Sequence, residues 1–159
     1  MRHIYATKRE VEKLASACNN PNASKLIIVA AYTGVRQGKL FQLTKDNIQG
    51  DYIVLDENTK TGKPRLIPIH PKIKEIVALL PLPITKRQLR VDWEKARLRT
   101  GLEHLRWHDL RHTFASWLAS SGAQATDVRD LLGHTTLATT NRYTHLFKRR
   151  LKDVVDKLD

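Results

Sequence analysis

Trp107-His108-Asp109-Leu110-Arg111-His112-Thr113-Phe114-Ala115 reads as the opening of a helix that runs to about Ser120. His108 and Arg111 stand at i and i+3, so they share one face of that helix. His108 and His112 stand at i and i+4, a spacing that also suits a metal ion. The run H-D-x-x-H differs by one carboxylate type from the zinc-protease pattern. Against a metal, the usual base at that place is glutamate, and no third ligand is obviously placed. His112 reads instead as a packing or capping histidine, and no cofactor is expected.

Moving toward the C-terminus, Gly122 and Gly133 punctuate further helices over Thr126 to Leu132 and Leu137 to His145. They carry Leu131-Leu132-Gly133-His134-Thr135-Thr136 and Arg142-Tyr143-Thr144-His145. A tyrosine on a late helix is ordinarily an amphipathic residue at the edge of a core. The tail, Phe147 to Leu158, sets Leu151, Val154, Val155 and Leu158 at helical spacing.

Toward the N-terminus, Thr85 to Arg99 is a helix that stops at Thr100-Gly101, and Pro71 to Leu80 is another, ended by Pro81-Leu82-Pro83. Before these the period changes to that of strands. Ile48, Tyr52-Ile53-Val54-Leu55 and Arg65-Leu66-Ile67-Pro68-Ile69 give about three short antiparallel strands. Gly50-Asp51 is one turn and Asn58 to Pro64 the other. The chain opens with helices. Thr7-Lys8-Arg9-Glu10 is a capping box that turns Val11, Leu14 and Ala15 inward. Asn22 or Ser24 starts an apolar helix that stops near Thr33-Gly34, and a short helix from Val35 runs through Leu40 and Leu43. The fold class is α+β, mostly helical, in one domain spanning 1–159.

The bulk numbers narrow the partners. Of 159 residues, 28 are Lys or Arg against 16 Asp or Glu, a net charge of +12. A domain this basic usually faces a polyanion, and nucleic acid is the first choice. Leu26 to Tyr32, the longest apolar run, is too short to span a bilayer. Cys18, the one cysteine, reads as a small core residue in a reducing compartment. No signal peptide is visible, so a cytoplasmic protein is expected.

Arg36, after the Thr33-Gly34-Val35 break, and Lys60, in the hairpin turn, would each pass alone for ordinary surface residues. Taken with His108, Arg111, His134 and Tyr143 they form a set suited to phosphodiester transfer. Guanidinium forks match the non-bridging oxygens of a phosphate and stay charged. A tyrosine hydroxyl, with a reference pKa of ~10, needs a base or cationic surroundings to attack. A leaving alkoxide needs a proton, which lysine or histidine supplies. Asp46, Asp51 and Asp56 make no obvious magnesium cage.

From about Thr7 to His145 the sequence resembles the phage integrase, or tyrosine recombinase, family. The resemblance rests on His108-Asp109-Leu110-Arg111-His112-Thr113-Phe114-Ala115, Leu131-Leu132-Gly133-His134 and Thr140-x-x-Tyr143-Thr144-His145, in the order Arg, Lys, His-x-x-Arg, His, Tyr. It implies the DNA breaking-rejoining enzyme fold and a site-specific recombinase for DNA integration or excision. Arg36 and Arg111 then clamp the scissile phosphate, and Lys60 is the general acid for the leaving 5′ oxygen. His108 assists proton transfer, His134 hydrogen-bonds the phosphate, and Tyr143 is the nucleophile of a 3′-phosphotyrosyl intermediate. No metal and no ATP are needed. The implied partners are double-stranded DNA at attachment sites, further copies of the chain in a tetramer on DNA (a monomer off it), and accessory DNA-bending proteins. The tail over 147–159 is expected either to dock on a neighbouring protomer or to pack on its own domain.

The basic helix carries Lys86, Arg87, Arg90, Arg97 and Arg99, and the resemblance implies that it approaches DNA. Most charge runs are simply solvated helix faces. Two departures from the family stand out. Lys39 occupies a position that is usually glutamate, and nothing corresponds to the family's N-terminal core-binding domain, so an excised catalytic domain is expected. A topoisomerase that only nicks and reseals, a non-catalytic DNA-binding protein and a metallohydrolase on His108 and His112 remain alternatives.

Overall fold

The computed structural model describes residues 4–55 and 65–133, with Lys152, Val155, Asp156 and Leu158 near the end. The Asn58–Pro64 turn with Lys60, the expected helix carrying Tyr143, His134, and the stripe residues Leu151 and Val154 lie outside the described residues.

Thr7 caps α1 (Lys8–Ser16) through the capping box expected of it, donating its backbone N–H to Glu10 and accepting from Glu10 N–H. Such a cap is worth about 1 kcal/mol. Val11, Leu14 and Ala15 are buried, as the period required. The apolar α2 (Pro21–Thr33) starts earlier than expected. Asn20, rather than Asn22 or Ser24, is its N-cap, and Pro21 takes the first helical position, where its missing N–H leaves nothing unsatisfied. Gly34 ends it at φ 69°, a left-handed conformation that glycine adopts without strain. The helix then expected through Leu43 is a single turn, α3 (Gln37–Leu40), with Leu43 buried beyond its end.

The three strands pair antiparallel in the order β1 (Ile48–Gln49), β2 (Tyr52–Leu55), β3 (Arg65–Pro68). Ile53 faces Ile67 and Leu55 faces Arg65, and these four are the buried ones. Tyr52 and Leu66 alternate to the exposed side, as the pleat demands. The helix expected from Pro71 to Leu80 is instead a 3-10 turn, Pro71–Ile73, followed by the one-turn α4 (Lys74–Val77).

Thr85 and Gln88 form a second capping box that opens α5 (Lys86–Thr100). α6 (Asp109–Ser121) and α7 (Ala125–Leu132) follow, ended by Gly122 and Gly133 in left-handed conformations. α2 is the central post, touching α1, α5 and α6. Phe114, Ala115 and Ala119 of α6 meet Val128 and Leu132 of α7 in a smaller apolar cluster. Cys18 lies just past the end of α1, half-buried against the core, with Sγ donating to the Leu14 carbonyl. No helix among the described residues is long and apolar enough to cross a membrane.

Candidate active site

α6 builds the centre of the site. Its entry turn is fixed by Asp109, a buried carboxylate that accepts the Arg106 backbone N–H at 2.8 Å. Thr113, one turn on, accepts the Ala6 N–H at 2.9 Å and so ties the start of the chain to the same helix. His108 sits at the N-cap position with its side chain exposed, and its ring meets that of His112 edge-on at 5.0 Å between centroids. Among the described residues no group of three His, Cys, Asp or Glu side chains could hold a metal.

Arg111 is only 4% exposed. A buried guanidinium must have its donors matched. Here Nη1 donates to the Gly34 carbonyl at 2.6 Å and Nη2 to the Leu132 carbonyl at 2.5 Å. Leu132 is the last residue of α7, where the helix presents its negative end, a favourable place for a cation. One side chain therefore joins the end of α2, just before Arg36, to the end of α7, just before His134.

Arg36, His108 and Arg111 line one small cleft, together with Val35, Gln37 and Trp107. Arg36 is exposed, at the N-cap position of α3, and Lys39 lies half-buried one turn on. Sequence spacing placed His108 and Arg111 on one face, and the turn at Gly34 brings Arg36 to them. Lys60, His134 and Tyr143 lie outside the described residues, although both ends that lead to them are fixed: Leu55 pairs with Arg65 across the hairpin, and Gly133 closes α7.

Beside the cleft lies a broad basic depression. Lys86, Arg87, Arg90, Arg97 and Arg106 line it, with Glu94 as its acidic member, and it shares Gln37 and Trp107 with the cleft. Arg106 was not anticipated, although it stands next to Trp107 in the sequence. Arg97 has a structural task as well: Nη1 donates to the carbonyls of Glu103 and Leu105, both at 2.8 Å, and Nη2 pairs with Glu94. Arg99 does not line the depression. Its Nη1 donates to the Ala17 carbonyl at 2.7 Å, binding α5 to the loop after α1.

Arg65 is the residue that sequence reasoning missed. It is a buried arginine on β3, and its Nη1 donates to the Leu132 carbonyl that Arg111 also uses. The signal was present in the alternation: Arg65 falls on the inward phase of the strand with Ile67, where a charge is unexpected.

Known proteins are similar to this chain in sequence and in fold. Residues 80–150 match the Phage integrase family. The integrase of Haemophilus phage HP1 is 30% identical over 95% of this chain and 46% of its own length. The tyrosine recombinase XerC of Staphylococcus epidermidis is 31% identical over 92% of this chain and 58% of its own. The chain thus spans about half the length of the curated relatives it matches. The solved catalytic domain of bacteriophage HP1 integrase superposes with a TM-score of 0.74 at 28% identity, covering 96% of this chain and 94% of that one. XerH recombinase bound to its palindromic difH substrate, a post-cleavage complex, shares the fold with a TM-score of 0.71 at 21% identity, covering 96% of this chain and 52% of that one. This chain belongs to the phage integrase family, with the mostly helical fold and small antiparallel sheet of its catalytic domain.

Proposed function

We propose that the chain is the catalytic part of a tyrosine-type site-specific DNA recombinase that cuts and rejoins DNA for integration or excision. The observation that carries this reading is the cleft lined together by Arg36, His108 and Arg111. Two arginines and a histidine lining one cleft suit a phosphodiester whose transition state gathers charge on its non-bridging oxygens.

In the proposed reaction the Tyr143 hydroxyl gives its proton to His108 as its oxygen attacks the phosphorus. The P–O bond to the 5′ oxygen breaks, and that oxygen takes a proton from Lys60. The products are a 3′-phosphotyrosyl link and a free 5′-hydroxyl. In the second step a 5′-hydroxyl from a partner duplex gives its proton to Lys60 and attacks the same phosphorus, and the tyrosine oxygen leaves and takes its proton back from His108. One phosphodiester is exchanged for another, so ATP has no part. Arg36 and Arg111 hold the phosphate, His108 assists proton transfer, and His134 hydrogen-bonds the phosphate.

DNA enters through charge. Lys86, Arg87, Arg90 and Arg97, with Arg106, line a depression that runs up to the cleft. Contacts from such groups to phosphates give affinity and register without base specificity. A tetramer on DNA, a monomer off it, accessory DNA-bending proteins and a cytoplasmic place of action belong to the same proposal. So does docking of the tail on a neighbouring protomer: Val155 and Leu158 are 65% and 81% exposed.

Covalent trapping tests the reading. The protein is mixed in EDTA with a pool of nicked duplexes of randomised sequence, and SDS-resistant adducts are collected. The proposal requires adducts joined through Tyr143. Adducts that persist in Tyr143→Phe, or that need a metal ion, overturn it. The non-catalytic alternative requires binding with no adduct, and a topoisomerase requires relaxation of supercoiled DNA without strand exchange.

A further inference from the structure

We propose that Arg65 is a positioning residue for phosphoryl transfer: it fixes the end of α7 against Arg111 by sharing the Leu132 carbonyl with it. The inference rests on the recombinase reading and extends it to a residue outside the Arg, Lys, His-x-x-Arg, His, Tyr set.

Three observations carry it. First, the geometry is convergent. Arg65 Nη1 and Arg111 Nη2 both donate to the Leu132 oxygen, which has two lone pairs to accept them. Arg111 is further held by the Gly34 carbonyl, so Arg65 is the second brace on one side of the guanidinium's anchor. Secondly, the neighbourhood is shaped to admit Arg65. Gly133 follows Leu132 at φ 71°, and a Cβ there would strike Nη1 of Arg65 and come within 3.1 Å of its Cζ. Thirdly, Arg65 is 9% exposed on β3, opposite Leu55, in the last described pair of the hairpin before the segment that holds Lys60.

Physical chemistry says why a second arginine belongs there. Two buried cations brought to one carbonyl repel each other, and the negative end of α7 offsets that repulsion. An arriving phosphate offsets it further. Arg65 therefore helps to set where Arg111 sits before the phosphate arrives, which is worth more in the transition state than in DNA binding. A small displacement of a clamping group changes rate far more than affinity.

The test compares Arg65→Met and Arg65→Lys with the unaltered chain, using the nicked duplex pool in EDTA. Rate of adduct formation is read at saturating DNA, alongside the dissociation constant and the melting temperature. Arg65→Met is expected to slow adduct formation about 10-fold to 100-fold while DNA affinity shifts less than about 3-fold. Arg65→Lys, which still offers a donor to Leu132, is expected to recover part of the rate. In Arg111→Lys the further change Arg65→Met is expected to slow the reaction little, because both act on one phosphate contact. An unchanged rate in Arg65→Met, or an affinity loss as large as the rate loss, overturns the inference and leaves the recombinase reading standing. Should the unaltered chain form no adduct, a cycle of Arg65→Met and Arg111→Met in melting temperature still decides the structural half. Strictly additive shifts there contradict the shared carbonyl. If Arg65→Met fails to fold, the Arg65→Lys rate carries the test, and a rate equal to the unaltered chain's at an unchanged melting temperature overturns it.

Discussion

Arg111 donates to the Gly34 carbonyl at 2.6 Å, joining the helix that carries one expected phosphate clamp to the turn that presents the other, Arg36. The bond gives Arg111 a structural task beside the clamping role proposed for it. Replacement by methionine takes this donor from the Gly34 carbonyl inside the protein and leaves the Leu132 carbonyl to Arg65. The loss at Gly34 costs about 1–3 kcal/mol. Arg111→Met is therefore expected to lower the denaturant midpoint clearly. Arg111→Lys retains charge but loses the fork, and adduct formation is expected to fall about 100-fold or more, in line with the loss of one transition-state donor. An Arg111→Lys variant with near-normal cleavage contradicts the clamp.

Gly34 is expected to resist substitution. A Cβ there would lie 2.6 Å from Phe114 Cδ2 and 2.8 Å from Leu132 Cδ2, at φ +69°. The left-handed conformation alone costs a side chain about 1–2 kcal/mol, and overpacking adds about 1–3. Gly34→Ala should therefore destabilise by about 2–5 kcal/mol in urea unfolding. Gly38 is the control: it lies in α3 with nothing within 4 Å of the built Cβ. Gly38→Ala should be neutral or stabilising by up to about 1 kcal/mol.

How far the sequence carried this site follows from the physics of each part. Caps are local, so Thr7 with Glu10 was readable from residues alone. Positive-φ glycines likewise marked the ends of α2, α5, α6 and α7. The helix expected over Pro71 to Leu80 became a 3-10 turn and one α-turn, because amphipathic spacing over ten residues does not tell one kind of turn from another. In the site, His108 and Arg111 were legible because a helix fixes their spacing. Arg36 joins them through tertiary structure, and its place in the set came from chemistry and resemblance. Arg65 was hidden because its partner, the Leu132 carbonyl, is a backbone atom far along the chain.

The cations of α5 are expected to separate by experiment. Arg87 and Arg90 are exposed in the basic depression, whereas Arg99 is committed to the Ala17 carbonyl. Arg87→Ala and Arg90→Ala should each weaken DNA binding and reduce the slope of log K against log salt by up to about 0.9 for each phosphate no longer neutralised. Arg99→Ala should leave that slope unchanged and lower stability by about 1 kcal/mol. A salt slope altered by Arg99→Ala to the same degree as by Arg87→Ala argues against this division.

Cys18 is expected to be unreactive. Burial, with the Asp92 carboxylate adding to it, pushes its thiol from 9.0 up to about 11. The thiolate is the reactive form, so at pH 8 alkylation should run roughly 100-fold slower than for the unfolded chain. The linkage follows in sign. Above the unfolded value the unfolded chain loses its proton first, so this group's contribution to stability declines as pH rises from 9.0 toward about 11. Rapid alkylation of the native protein contradicts the placement of Cys18 against the core.

The central claim is that a phosphodiester held by Arg36 and Arg111 is attacked by Tyr143. Its most direct test is the site of the covalent link. Adducts trapped in EDTA from the nicked duplex pool are digested with nuclease and protease, and the modified peptide is read by mass spectrometry. The account predicts a nucleotide phosphate joined to Tyr143, absent in Tyr143→Phe and strongly reduced in Arg36→Ala and Arg111→Lys. A link to any other residue, or an adduct whose yield ignores both arginines, would contradict it.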